Sequence, residues 1–367
     1  MKVLILSRSL HRGGIETHIL TLSEKLKSVG HKVIVASDNL LEKGRFDTIG
    51  VPVYQVKFIT NNPITMIQNI NGLKKIIDEN KIDVVHCQWR ICSFYMEFLR
   101  RFRGCKVPFV WSNHVLLKPS IIKSKFTFYG YKAIVSSMDC MKSMLEDYHL
   151  PADKVELVYN GIEFGRYTYD DPGINVLKKR LKLTNEYVIT MLCRFEAIKN
   201  HKCMIEALNV LVNEKHISNV KCVIVGEGKD EYVNGIKSLV SSYHLDDIVV
   251  FAGFTESVST LGLTNLMVLP SQAEGFPISV LEAFAMRVPV IRTRTGGYTD
   301  VKEFCLDMDF DDYYGLAERV VQAMNGGAQV EQMCNDAYEF VKNKCTSDVM
   351  LEKLLGIYKG ALTDFSE

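Results

Sequence analysis

The stretch PSQAEGFPISVLEAFAM, residues 270–286, settles the architecture. Ahead of it, the apolar run Leu266-Met267-Val268-Leu269 reads as a buried strand, and Pro270-Ser271 ends it. Glu274-Gly275-Phe276-Pro277 then turns the chain into a helix. Pro277 suits the first helical position, where a missing N–H costs nothing. Val280, Leu281 and Phe284 form the buried side. Such a helix points its free N–H groups and positive dipole end beyond the strand's carboxyl end, the arrangement by which α/β folds hold phosphate. With Pro277 opening the helix, Glu282 falls about 7–8 Å further along the axis. Glu274 on the loop and Glu282 on the helix could then accept hydrogen bonds from opposite ends of a polyhydroxylated ligand. As chemistry alone, the same glutamates are equally well a first-turn acid that favours the dipole and a solvated helix position.

Outward from this stretch, strand-like runs alternate with helical ones along the chain. Strands are expected at Val3–Leu6, His31–Ala36, Val51–Val56, Val84–His86, Val107–Trp111, Ala133–Val135 and Val155–Val158. Between the first two, Arg12-Gly13-Gly14 makes a turn, and Ile15, Ile19, Leu22 and Leu26 recur at helical spacing to about Val29. This is the rhythm of a parallel, doubly wound sheet. Gly13-Gly14 sits where such a sheet admits phosphate or sugar close to backbone. His114 follows another strand and could reach a sugar hydroxyl or a leaving phosphate. Asn160-Gly161 is turn chemistry, and the irregular composition after it places a domain boundary near residue 165. The second half repeats the rhythm with strands at Tyr187–Cys193, Val220–Val225, Val249–Gly253 and Val288–Ile291, then helices from Tyr313. Arg194 and Lys199 flank a loop that opens a helix, a geometry for clamping a diphosphate between two cations and amide donors. Gly226-Glu227-Gly228 lacks the glycine at 231 that a dinucleotide fingerprint needs. That disfavours a dehydrogenase, and Gly226 is read as letting a nucleotide approach the backbone.

Glu274 and Glu282, with seven residues between them in EGFPISVLE, resemble the signature of retaining glycosyltransferase family 4. The resemblance implies an α/β chain of the GT-B fold, two Rossmann-like doubly wound domains facing across a cleft. It implies an acceptor domain over 1–165, a nucleotide-sugar domain over 166–345, and a C-terminal helix over 346–367 that returns to brace the first. NGIE at 160–163 resembles the family's hinge, and GGYTD at 296–300 its GGxxE turn, with Asp300 in place of Glu. Cys193 stands where a glycine is common. The implied activity is transfer of a sugar, with retention, from a nucleoside-diphosphate sugar to a glycan or lipid-linked hydroxyl, a UDP-sugar being the expected donor. His114, Arg194, Lys199 and Glu274 are the catalytic candidates. Gly13, Gly14, Gly226, Gly275, Phe276, Pro277 and Glu282 are the donor-binding ones. Protein cations would stabilise the departing diphosphate, so neither cofactor nor metal is expected. Asp307-Met308-Asp309 is a D-x-D string of the kind that holds Mn²⁺ in a different glycosyltransferase fold. Here it falls in a late acidic loop beside Asp311 and Asp312 and is not read as a metal site. The rival readings are a UDP-sugar 2-epimerase of the same fold and a non-catalytic nucleotide-sugar-binding subunit.

Bulk properties fit that frame. At 367 residues two domains are expected, and no apolar run reaches the length of a membrane span. Ten cysteines without a CxxC pair read as reduced core thiols of a cytoplasmic protein. The net charge of +1 conceals an asymmetry: residues 1–165 carry 23 Lys and Arg against 15 Asp and Glu, the remainder 21 against 28. Ten basic residues lie between Arg90 and Lys142, opposed only by Glu97 and Asp139. Phe94, Tyr95, Phe98, Phe102, Phe126, Phe128 and Tyr129 are interleaved with them. Such a segment suits peripheral contact with an anionic membrane face, or is an ordinary solvated surface whose aromatics point inward. With the whole chain near neutrality, no nucleic-acid partner is expected.

Overall fold

A computed structural model describes residues 1–11, 13–117 and 127–364. The chain divides into unit 1, residues 1–161 with 346–367, and unit 2, residues 162–345.

Unit 1 is built on seven parallel strands: β1 (Lys2–Ser7), β2 (Lys32–Ser37), β3 (Val53–Gln55), β4 (Val84–Cys87), β5 (Phe109–Asn113), β6 (Ala133–Val135) and β7 (Val155–Leu157). Their order is β3-β2-β1-β4-β5-β6-β7. The direction of winding therefore reverses between β1 and β4, where α/β sheets open a crevice at the strands' carboxyl ends. Strands buried on both faces must be apolar throughout, and Val3, Leu4, Ile5 and Leu6 of β1 are all fully buried. One layer of core joins this sheet to α1 (Gly14–Ser28) through Ile19, Leu22 and Leu26. The same layer takes the last long helix, Ser347–Asp364, through Met350, Leu351, Leu354, Tyr358 and Ala361. Each large apolar side chain so buried contributes about 1.5–3 kcal/mol, which ties a segment distant in sequence into unit 1. The opposite layer holds α2 (Pro63–Asn80) and α3 (Arg90–Phe102).

The basic, aromatic segment resolves largely into that layer. Tyr95 is buried, and Phe94, Phe98, Phe128 and Tyr129 pack against the core. Among the described aromatics of the segment, only Phe102 stands well out into solvent, at 68% exposure. Glu97 pairs with both Arg100 and Arg101. Phe126, Lys118, Lys123 and Lys125 lie outside the described residues, as does Arg12.

Unit 2 is a six-stranded parallel sheet: β8 (Tyr187–Leu192), β9 (Val220–Val225), β10 (Val249–Gly253), β11 (Leu266–Leu269), β12 (Val290–Thr293) and β13 (Leu306–Met308). The order is β10-β9-β8-β11-β12-β13, so winding reverses between β8 and β11. α4 (His201–Asn209) follows β8 and α5 (Ile278–Ala285) follows β11. Two local expectations change. Asp307 lies in edge strand β13, paired parallel with β12, and not in a loop. Pro277 is the residue before α5, with extended ψ of 122°, and Ile278 opens the helix.

All ten cysteines are free, nine of them buried and Cys193 partly exposed. Among the described residues no helix is long and apolar enough to cross a membrane.

Candidate functional site

The switch point of unit 2 carries charge. Lys199 ends the loop after β8, and Glu274 sits on the loop after β11. Lys199 Nζ donates to Glu274 Oε1 at 2.5 Å, with the two side chains only 15% and 10% exposed. Buried charges are tolerable only when each satisfies the other, so this pair fixes the two loops across the reversal. A backbone bond reinforces it, Gln272 N donating to the Ile198 carbonyl at 2.8 Å. Asn200 follows in the left-handed region at φ 54°, which asparagine adopts more readily than most residues. Its side chain then caps α4 by accepting from Cys203 N. Arg194 shares the loop but not the pair. It is half-exposed and bonds Glu196 at 3.0 Å.

The glycines around this loop serve the chain itself. Gly226 has φ 144°, and a Cβ there would lie 2.0 Å from the Cys193 carbonyl oxygen. A Cβ on Gly228 would meet the Phe195 carbonyl at 2.2 Å. The loop after β9 thus runs hard against the loop after β8, and Gly226, one of the donor-binding candidates, is required by that contact. Cys193, in the glycine position of the resemblance, is accommodated with its sulfur 3.7 Å from His201 Nε2. Burial pushes its thiol up to about 12.

The loop bearing Glu274, Gly275 and Phe276 is held from the other side by the Gly296-Gly297 turn and by Arg292 and Thr293, which the sequence did not single out. A Cβ on Gly296 would meet the Glu274 carbonyl at 2.4 Å, and one on Gly297 the Phe276 ring at 2.5 Å. Arg292, only 1% exposed, donates to the carbonyls of Thr295 and Gly296 and so ties this turn in place. Thr293 Oγ1 donates to the Ser271 carbonyl at 2.6 Å. Glu282, on α5, is 8% exposed. Its Oε1 accepts from the Tyr167 hydroxyl at 2.6 Å and from Ser257 at 3.2 Å. Burial raises its carboxyl pKa above the ordinary carboxylate value, with those donors and Arg166 pulling the other way. Both bonds fall on one oxygen, which orients the carboxylate.

The D-x-D string is spoken for. Arg294 pairs with Asp307, and with Asp309 at 2.6 Å. These side chains line a surface hollow of about 270 Å³ together with Asp312, Glu318 and Arg319. Among the described residues no group of three or more His, Cys, Asp or Glu is arranged to hold a metal ion.

The switch point of unit 1 carries the Arg8 guanidinium, 4.2 Å above the Trp89 ring, and beside it a set of neutral polar groups. Gly13 precedes α1 and Gly14 opens it, with nothing within 4 Å of a Cβ built on Gly14. His114 follows β5 and meets Gln88 Oε1 through Nε2 at 2.5 Å. With Gln88 presenting its carbonyl oxygen, the ring donates from Nε2 and keeps Nδ1 as an acceptor. His18, from α1, lies edge-on to His114 with ring centroids 4.8 Å apart. His86 lies between Tyr358, at 2.6 Å, and Ser112, at 2.7 Å. Burial lowers His18 to about 4 and His86 to about 3, and pushes His114 well below its ordinary value. All three are neutral near pH 7.

Two Rossmann-like parallel units, each with its polar residues gathered at a winding reversal, define the GT-B architecture. The family description "Glycosyltransferase Family 4" matches residues 12–166, and "Glycosyl transferases group 1" matches 174–304. An uncharacterized glycosyltransferase of Methanocaldococcus jannaschii is 25% identical, over 95% of both chains. The N-acetyl-alpha-D-glucosaminyl L-malate synthase of Bacillus anthracis is 28% identical over 58% of this chain and 56% of its own. Among solved structures, a glycosyltransferase from Rickettsia africae superposes with TM-score 0.84 at 21% identity, covering 98% of each chain. Anabaena HepE in complex with UDP-glucose superposes at 0.83 and 17% identity, covering 98% of this chain and 100% of that one. The chain belongs to the family 4, group 1 glycosyltransferases.

Proposed function

We propose that the chain moves a sugar, with retention of configuration, from a UDP-sugar to a hydroxyl of a glycan or lipid-linked acceptor in cell-surface polysaccharide or glycolipid synthesis. The observation that carries this is the Lys199–Glu274 pair across the switch point of unit 2. In this reading the donor's diphosphate takes over Lys199, with Arg194 and the loop amides as further donors, and Glu274 is released to the sugar hydroxyls. Charge builds on the diphosphate as the sugar–oxygen bond breaks, so fixed cations stabilise the transition state more than the ground state. Glu282 takes the ribose hydroxyls on Oε2, while His114 offers Nδ1 to the transferred sugar. On a same-face path the leaving phosphate oxygen accepts the acceptor's proton, and no separate base is required.

Support for the substrates comes from relatives: one named for N-acetylglucosaminyl transfer to malate, another, from Staphylococcus aureus, for capsular polysaccharide biosynthesis. A structural neighbour holds UDP-glucose. Protein cations replace a metal in this scheme, and Arg294 already occupies the D-x-D carboxylates. Peripheral contact with an anionic membrane would fall to the exposed end of α3, where Phe102 and Arg103 stand out beside Arg100 and Arg101. The test is a panel of UDP-, GDP- and ADP-sugars incubated with EDTA, with and without acceptor. Slow hydrolysis or transfer from a UDP-sugar in EDTA is expected. Dependence on added Mn²⁺, or epimerised donor as the sole product, contradicts the proposal.

A further inference from the structure

We propose that one buried water is a fixed part of unit 1, and that His18, bonded to it, is a positioning residue for His114. A cavity of about 10 Å³ lies at the carboxyl ends of β5, β6 and β7, lined by His18, Asn113, His114, Ser112, Ser136 and Asn160 among others. That volume is close to the least that admits a single water. It is too small for a second water, a phosphate or a sugar. His18, Asn113 and Ser136 are 5%, 4% and 3% exposed. Neither ring nitrogen of His18, nor Asn113 Nδ2, nor Ser136 Oγ, meets a protein partner in hydrogen-bonding geometry. Asn160 stands near enough to His18 to favour its protonated form. Buried donors and acceptors left dry are costly, and several converging on one hole of this size identify an ordered water. The water accepts from Asn113 Nδ2 and bonds Ser136 Oγ and one His18 nitrogen.

The consequence reaches His114. Its ring is anchored on one side by Gln88 and flanked edge-on by His18. Free to rotate, His18 would leave that flank undefined, whereas a water bridging it to Asn113 and Ser136 fixes it. The same cavity wall extends the polar chain through Ser112 and His86 to Tyr358 on the C-terminal helix. The positioning role rests on the proposed part of His114 in turnover, while the water does not.

The first test is a crystal structure of the whole chain at a resolution that shows ordered waters. One density peak within hydrogen-bond distance of Asn113 Nδ2, Ser136 Oγ and a His18 nitrogen is expected. A dry or collapsed cavity overturns the proposal. The second is His18→Leu, whose methyls displace the water, assayed for kcat, for UDP affinity and for the nitrogen-15 shifts of His114. A fall in kcat of about tenfold is expected from a displaced ring, with UDP affinity unchanged and the single Nε2–H tautomer replaced by a mixture. Should that variant fail to fold, Ser136→Val displaces the water with a smaller change of shape. A folded variant with full kcat and the wild-type tautomer overturns the positioning role. A wild-type protein that turns over no nucleotide sugar would sink the proposed activity and leave the density peak as the test of the water.

Discussion

The two switch points are built by the same topology and differ in how their charge is held. In unit 2 the reversal between β8 and β11 is bridged by a Lys199–Glu274 pair, and Glu282 is buried on α5. In unit 1 the reversal between β1 and β4 sets the Arg8 guanidinium over the Trp89 ring, with the neutral imidazoles of His18, His86 and His114 beside Gln88 and Ser112. A fixed ion pair is costly to bury and gains its use only against a ligand that is itself strongly charged. Neutral donors and acceptors suit hydroxyl groups, which offer and take single hydrogen bonds. Unit 2 thus holds its cation against a carboxylate, while unit 1 leaves Arg8 exposed on an aromatic face beside uncharged donors and acceptors.

The comparison breaks most readily at Lys199. Lys199→Ala is expected to lower kcat about 10²–10³-fold, the usual effect of removing one preorganised donor to developing charge. Its effect on UDP-sugar affinity, read by calorimetry, should be smaller, and a loss confined to binding would place Lys199 outside the chemistry. Glu282→Ala should weaken UDP binding about ten- to a hundredfold, the value of a charged hydrogen bond. An unchanged dissociation constant removes the ribose assignment. Tyr167→Phe tests the same point: Glu282 keeps its carboxyl group but loses the donor that orients it, and UDP affinity should fall by less than in Glu282→Ala.

Acid separates the units in the other direction. His18, His86 and His114 in unit 1 bind protons less tightly when folded than when unfolded, against His201 in unit 2, lowered by burial to about 4. For a base with a depressed folded value, the unfolded chain takes up more protons as pH falls, so stability declines from the ordinary 6.5 toward the 4 of His18. Hydrogen exchange followed between those values should rise first in residues 1–161. Equal acceleration in both units would show that the imidazoles do not govern it.

Much of this was readable in the sequence, and the unread parts share a cause. Buried parallel strands announce themselves as apolar runs, so β8, β9, β10 and β11 appear at or within one residue of their expected bounds. The Glu274–Glu282 spacing is local and was visible. β13 was not, because a three-residue edge strand with an aspartate inside it has no apolar signature. Tyr167, Ser257 and Arg292 matter through contacts made across the fold, and nothing in their flanking residues reveals these. Of the aromatics between Phe94 and Tyr129, those described other than Phe102 turned inward, since a helix at 3.6 residues per turn can alternate arginine and phenylalanine while keeping them on different faces. Gly226 carries a constraint its flanking residues do not reveal: a Cβ there would strike the carbonyl of Cys193.

The most direct measurement is a crystal structure with UDP bound in the presence of EDTA. The expected result has the diphosphate on Lys199 and the ribose hydroxyls on Glu282 Oε2, with Glu274 parted from Lys199. A nucleotide held elsewhere, or a diphosphate bound only when Mn²⁺ is restored and bridged through Asp307 and Asp309, would contradict it.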